Sequence, residues 1–245
     1  MHESELWFTK LFNDFLPGVG NAILGIVGVH AENPARPWAN FITMQILVVA
    51  ILMVLFAMLR SRLSVDKPGK FQHTFELVYN FLRDQAEDQI PHHGHPYIPF
   101  FGTLFLFILF SNLIGVVPGF ESPTMIPAVP AGCAVATFLY YNYMGVRAQG
   151  VGKYLAHFAG PMPIIAPLMA PIEVISQCAR PLSLTIRLYA NMYAGEQVTL
   201  VFLSLTYFLI PAAFMGLHVF VSFLQAYIFT LLTMTYVAGA VSQEH

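Results

Sequence analysis

The run Pro181-Leu-Ser-Leu-Thr-Ile-Arg187-Leu-Tyr-Ala-Asn191-Met-Tyr-Ala-Gly-Glu196 sets an arginine inside the longest apolar region of this chain. Between Tyr154 and Gln243 the only formal charges are Glu173, Arg180, Arg187 and Glu196. An arginine cannot shed its charge as a lysine can. At mid-depth in a bilayer it costs about 3 kcal/mol or more. Arg187 therefore either pairs with a neighbouring carboxylate and holds two helices together, or it has a task.

Composition says which solvent surrounds it. The 245 residues are 57% hydrophobic and 10% charged, with mean hydropathy +0.65. A soluble domain carries about 25% charged residues. The chain reads as an all-α integral membrane protein, a single membrane domain over 1–245, with length for about five spans. A formal net charge of −2 argues against a nucleic-acid partner. Cys133 and Cys178 fall in apolar segments and read as buried thiols without metal spacing. No cofactor is expected. The acidic start, Met-His-Glu-Ser-Glu-Leu-Trp, lacks the basic n-region of a signal peptide.

Residues 1–37 form a mixed N-terminal segment. Its apolar piece, 19–29, is too short to span and is expected at the interface. The first span runs from about Asn40 to Leu59. Arg60, Arg62, Lys67, Lys70 and Arg83 follow, a density of positive charge that no later connection approaches. The positive-inside rule puts this loop in the cytoplasm and the N-terminus outside. Five crossings then put His245 in the cytoplasm.

From Phe71 to Ile90, apolar residues recur at 71, 75, 78, 82, 86 and 90, among too many charges to span. The spacing predicts an amphipathic helix over 71–90 on the cytoplasmic surface. His92, His93 and His95 follow in a polar turn, and no carboxylate or cysteine completes a metal site there. Spans are expected at about Ile98–Val117 and Pro130–Val146. The loop 118–130 between them carries Glu121 and lies outside.

From Pro171 to about Leu205 the only strong helix breaker is Pro181, a candidate kink. Some 35 residues make a helix about 50 Å long, against a hydrocarbon core of about 30 Å. Such a helix tilts or bends. So does the last segment, about Pro211 to Val241. The two form an antiparallel hairpin over 171–241, joined by a turn near Thr206 and Tyr207, that could follow the curved wall of a partner.

At 100° per residue, Glu173, Ser176, Gln177, Arg180, Ser183, Arg187 and Asn191 share one face. Glu196, nine residues past Arg187, points the opposite way and shares its side with Tyr189 and Tyr193. On the last helix His218, Ser222, Gln225, Thr233 and Tyr236 share a face. In an antiparallel hairpin, residues at one level have a constant index sum, which pairs Glu196 with His218 and Arg187 with Gln225. The levels agree; the azimuths do not.

The run from Pro181 to Glu196 resembles the signature of the F-type ATP synthase subunit a family, the stator subunits that carry protons to and from a rotating c-ring. The resemblance covers the arginine, the asparagine four residues on and the Tyr-Ala-Gly-Glu that follows. A second match lies in His218 and the Leu-Gln225-Ala-Tyr-Ile-Phe run. It implies that Arg187 faces the ionisable carboxylate of each passing c-subunit and separates two aqueous half-channels. Glu196 and His218 match the pair lining the outer half-channel, with Asn191 close by. Gln225 matches the glutamine beside the arginine. Glu173, about 21 Å before Arg187 along the helix, is the candidate for the inner half-channel. The implied partners are c-ring proteolipids, peripheral-stalk b subunits, the rest of the synthase and membrane lipid. The implied location is a bacterial inner membrane, with no catalysis by the chain alone.

Rival classes fit less well. A secondary proton or cation transporter often repeats its broken helices in two similar halves, whereas here the buried charge lies in the second half. An intramembrane enzyme would need a motif such as H-E-x-x-H or G-x-S-x-G, and neither occurs. A scaffold would not need Arg187 and Glu196.

Overall fold

A computed structural model describes residues 5–27, 33–64, 69–90, 94–117, 119–154, 166–205 and 209–241. Among them the regular structure is entirely helical: α1 Trp7–Phe15, α2 Pro17–Val27, α3 Asn40–Ser61, α4 Lys70–Gln89, α5 Ile98–Leu113, α6 Ala128–Gln149, α7 Ala166–Leu205 and α8 Leu209–Val241. His92, His93, Lys67, the turn at Thr206 and Tyr207, and both chain ends lie outside the described residues.

Among the described residues, three helical stretches are long and apolar enough to cross a membrane: Asn40–Ser61, His95–Val116 and Ala212–Val241. α6 is of spanning length, but its Tyr, Asn and Gly residues dilute its apolar character. α7 carries all four charges of the apolar region. In α3 only 17% of the spanning window is buried within the chain. A helix apolar all round yet so little covered meets lipid or another protein rather than its own core.

The core lies where α5, α6, α7 and α8 pack together. Phe101, Phe105 and Ile108 of α5 are fully enclosed, with Leu184, Leu188 and Met192 of α7 and Phe229, Met234 and Val237 of α8. The spacing 184, 188, 192 is one helical stripe, so α7 buries one side and leaves Leu182, Ile186 and Tyr193 exposed. α6 meets α8 closely at Gly145. A Cβ there would strike the Tyr154 ring and approach the Ala240 carbonyl.

The amphipathic helix is α4. Its stripe is graded: Leu82, Ala86 and Ile90 are buried, Phe75 and Val78 half-buried, Phe71 exposed. The buried end docks on α5 and α8, where Tyr227 donates to Gln85 at 3.1 Å. At the other end of the bundle α1 caps α3. Thr9 and Thr43 share a hydrogen bond of 2.7 Å, and Asn13 binds both the carbonyl and the amide of Trp38.

α7 and α8 run antiparallel. Phe202 stacks on Phe214 at 4.4 Å, and Asn191 bonds Gln225. Pro171 and Pro181 both lie inside α7, which continues through 40 residues, about 60 Å of helix.

One sequence expectation is corrected here. Cys133 is buried, but Cys178 is exposed. Apolar neighbours in sequence do not separate a core-facing position from one facing lipid or a partner, and residue 178 falls on the uncovered side of α7.

Candidate functional site

The polar face of α7 divides into two parts. The first contains Glu173, Gln177 and Arg180. Gln177 donates to Glu173 at 2.9 Å, and the Tyr141 hydroxyl donates to Gln177 at 2.6 Å. Arg180 lies 3.9 Å from Glu173. Its guanidinium also sits 5.1 Å from the centre of the Tyr236 ring and 5.9 Å from that of Tyr141. α6 and α8 thus supply two aromatic walls for one cation, and α7 supplies its carboxylate. Cation–π contacts are worth about 0.5–2 kcal/mol each. This part is a helix–helix seam that accounts for Arg180, while a third of the Glu173 side chain stays exposed.

The second part contains Arg187 and Asn191 with the facing side of α8; Glu196 follows on the opposite side of α7. Arg187 is half-buried and makes no ion pair among the described residues. One turn on, Asn191 donates to the Gln225 carbonyl oxygen at 2.8 Å. The index sum had set Gln225 level with Arg187; its bonded partner is Asn191, a turn further along α7. His218, Ser222 and Gln225 line one side of α8, 8%, 0% and 2% exposed. Each still has a buried polar atom with no hydrogen bond among the described residues: His218 Nε2, Ser222 Oγ and Gln225 Nε2. Glu196 Oε2 is in the same condition. Leaving such a group unpaired costs about 1–3 kcal/mol, so water or another chain is required to satisfy a line of them.

Between α7 and α8 lies a cleft of about 460 Å³, lined by Asn191, Gly195, Thr199, His218 and Gln225 among others. It is roomy enough for several waters. The structure therefore brings Asn191, His218 and Gln225 to one space. Arg187 stands a turn from Asn191, and Glu173 belongs to the other part.

Gly195, which the sequence reading passed over, determines how close the imidazole comes. A Cβ at 195 would sit 3.3 Å from His218 Nδ1. So Gly195, not Glu196, backs directly onto the ring. Glu196 turns elsewhere, on the side of α7 where Tyr189 and Tyr193 stack on each other at 5.7 Å.

A second missed residue is Glu121. Its carboxylate accepts from Asn40 at 3.3 Å and acts electrostatically on Glu196. Nearby, Thr124 bridges Ser122 and the buried Asn112 at 2.7 Å each. A loop acid gave no periodic signal, and only the fold brings it beside α7.

Among the described residues no group of His, Cys, Asp and Glu is arranged to hold a metal. His95 instead meets the Tyr79 hydroxyl at 3.5 Å.

The family model for the ATP synthase A chain matches residues 42–238. The chain is 73% identical to ATP synthase subunit a of Solibacter usitatus (strain Ellin6076) over 235 residues, covering 96% of this chain and all of that protein. It is 46% identical to ATP synthase subunit a of Koribacter versatilis (strain Ellin345), covering 98% of both. It is 39% identical to ATP synthase subunit a of Geotalea daltonii (strain DSM 22248 / JCM 15807 / FRC-32), covering 91% and 93%. The chain therefore belongs to the ATP synthase A chain family, the proton-translocating membrane subunits of the Fo sector, which are not catalytic alone.

Proposed function

We propose that this chain passes protons to and from c-ring carboxylates through two aqueous half-channels, with Arg187 standing between them. The observation that carries this reading is Arg187 itself: a half-buried cation with no ion pair among the described residues, beside a line of buried polar atoms that the chain leaves unpaired.

The outer half-channel is assigned to Asn191, Glu196 and His218, with Gln225 beside the arginine. Glu173 is assigned to the mouth of the inner half-channel. Five crossings by α3, α5, α6, α7 and α8 carry the chain from an outside N-terminus to a cytoplasmic C-terminus in a bacterial inner membrane. Residues 1–37 lie outside, and α4 lies on the cytoplasmic face. The overlong hairpin, 171–241, tilts and lays its exposed side along the c-ring. Subunit b and lipid cover other faces of the chain.

The energetics are consistent with a motor. A proton crossing 100 mV releases about 2.3 kcal/mol. At about 4 Å and an effective dielectric of 20, arginine attracts a carboxylate by about 4 kcal/mol before desolvation. That favours the ionised carboxylate. Burial costs offset much of it, so a protonated carboxyl group can leave. A proton then cannot pass Arg187 without riding the ring.

The test is ATP-driven pumping in inverted vesicles. Arg187→Ala abolishes pumping while the complex still assembles; wild-type pumping by that variant would overturn the reading.

A further inference from the structure

We propose that the groove between α3, α4 and α5 binds an acyl chain of an anionic phospholipid, with its headgroup held by Arg60, Arg62 and Lys70. A cavity of about 460 Å³ opens where the half-buried part of the α4 stripe, Phe75 and Val78, faces Phe56 and Leu59 of α3 and Gly102 and Leu106 of α5. It continues into a second cavity of about 440 Å³ along Val49 and Met53. The two share Phe56, Thr103 and Leu106. From Val49 to Leu59 the groove follows α3 for about 15 Å. One leaflet of hydrocarbon is about 15 Å deep.

The walls are dry. The Thr103 hydroxyl is taken up by the Pro99 carbonyl at 2.7 Å. At the wider end, Gln72 holds both the amide and the carbonyl of Ser64, at 3.0 and 3.1 Å. That fixes the corner between α3 and α4. Glu76, the acid on this rim, is engaged by Gln72 at 2.7 Å and by His73 at 4.0 Å.

The rim decides the occupant. Arg60 lies in the last turn of α3, Arg62 caps it and Lys70 opens α4. All three are exposed and form no ion pair among the described residues. Flanking the groove residues Leu59, Leu63 and Gln72 in sequence, these three exposed cations match a phosphate headgroup tethered to a buried chain. A neighbouring apolar helix would fill the groove and leave that charge unanswered.

The test uses the intact synthase complex carrying this chain. It is reconstituted in phosphatidylcholine vesicles containing a trace of photoactivatable acyl-chain probe, either phosphatidylglycerol or phosphatidylcholine. Irradiation followed by peptide mapping reads the groove. The glycerol probe is expected to label α3, α4 and α5 peptides, with loss of about five-fold for each cation removed by Arg60→Gln, Arg62→Gln or Lys70→Gln. Gly102→Leu should block both probes while pumping continues. The Cβ of that variant meets nothing nearer than Leu82 at 3.9 Å. Equal labelling by both probes, indifferent to the rim substitutions, would overturn the proposal. So would a groove that neither probe reaches, which would mean that a neighbouring helix fills it.

Discussion

Two stretches of one helix face carry similar residues and are treated in opposite ways. From Glu173 to Arg180 on α7, the cation has a carboxylate at 3.9 Å and two aromatic walls, and the amide has two partners. From Arg187 to Asn191 and across to α8, the cation has no ion pair among the described residues, and three buried polar atoms of α8 have no hydrogen bond among them. A buried charge kept for stability is paired. The difference teaches that the first part holds α6, α7 and α8 together, whereas the second awaits water and another chain.

The largest expected effect is at Arg187. Losing an attraction of about 4 kcal/mol corresponds to about a thousand-fold in rate, so Arg187→Ala pumping should fall below detection in inverted vesicles. Arg180→Gln is the contrast. It should lower the yield and thermal stability of the complex by an amount in the range of one or two cation–π contacts, about 1–2 kcal/mol, and leave pumping per assembled complex nearly unchanged. A pumping loss at Arg180 equal to that at Arg187 would erase the comparison.

Next come Glu196 and His218. Glu196→Gln and His218→Ala should each slow pumping by about ten-fold, less than the roughly 100- to 10,000-fold of an obligatory acid or base, because water can also fill the path. The double variant should lose less than the product of the two, because both groups serve one proposed outer path. Fully independent effects would separate the pair. Exchange of the two residues, His at 196 and Glu at 218, should recover part of the loss.

Gly195→Ala sharpens the geometry. Its Cβ would sit 3.3 Å from the His218 ring, close enough to push the imidazole by a few tenths of an ångström. Pumping should drop by about two- to three-fold, since displacements of 1 Å can cost about 100-fold. Tyr141→Phe is the smallest. It removes one hydrogen bond to Gln177, worth about 1 kcal/mol of stability, and should not alter pumping.

Much of this was legible before any coordinates. Apolar runs located α3, α5 and α8 to within a few residues, and the spacing of Phe75, Val78, Leu82 and Ala86 located α4. The hairpin followed from length alone. What sequence did not reach depended on azimuth and on contacts between distant segments. The index sum gave the level of His218 but not that Gly195 meets its ring, because it ignores how each helix is rotated. It set Gln225 one turn from its partner, Asn191. Cys178 looked buried because lipid-facing and core-facing positions are both apolar in a membrane protein. Glu121 lies in a loop without periodicity, and only the fold sets it beside Glu196.

The central claim concerns hydration, and two positions on α8 test it directly. Ser222 and Thr233 are both 0% exposed within the chain. The Ser222 hydroxyl makes no hydrogen bond there, whereas Thr233 donates to the Phe229 carbonyl at 2.9 Å near the Tyr236 seam. Cysteine at each position, in the assembled complex, can be challenged with a water-soluble methanethiosulfonate, which reacts with thiolate and so needs water at the sulfur. The account predicts that Ser222→Cys reacts and blocks pumping while Thr233→Cys stays inert. Two inert thiols, or two that react equally, would contradict it.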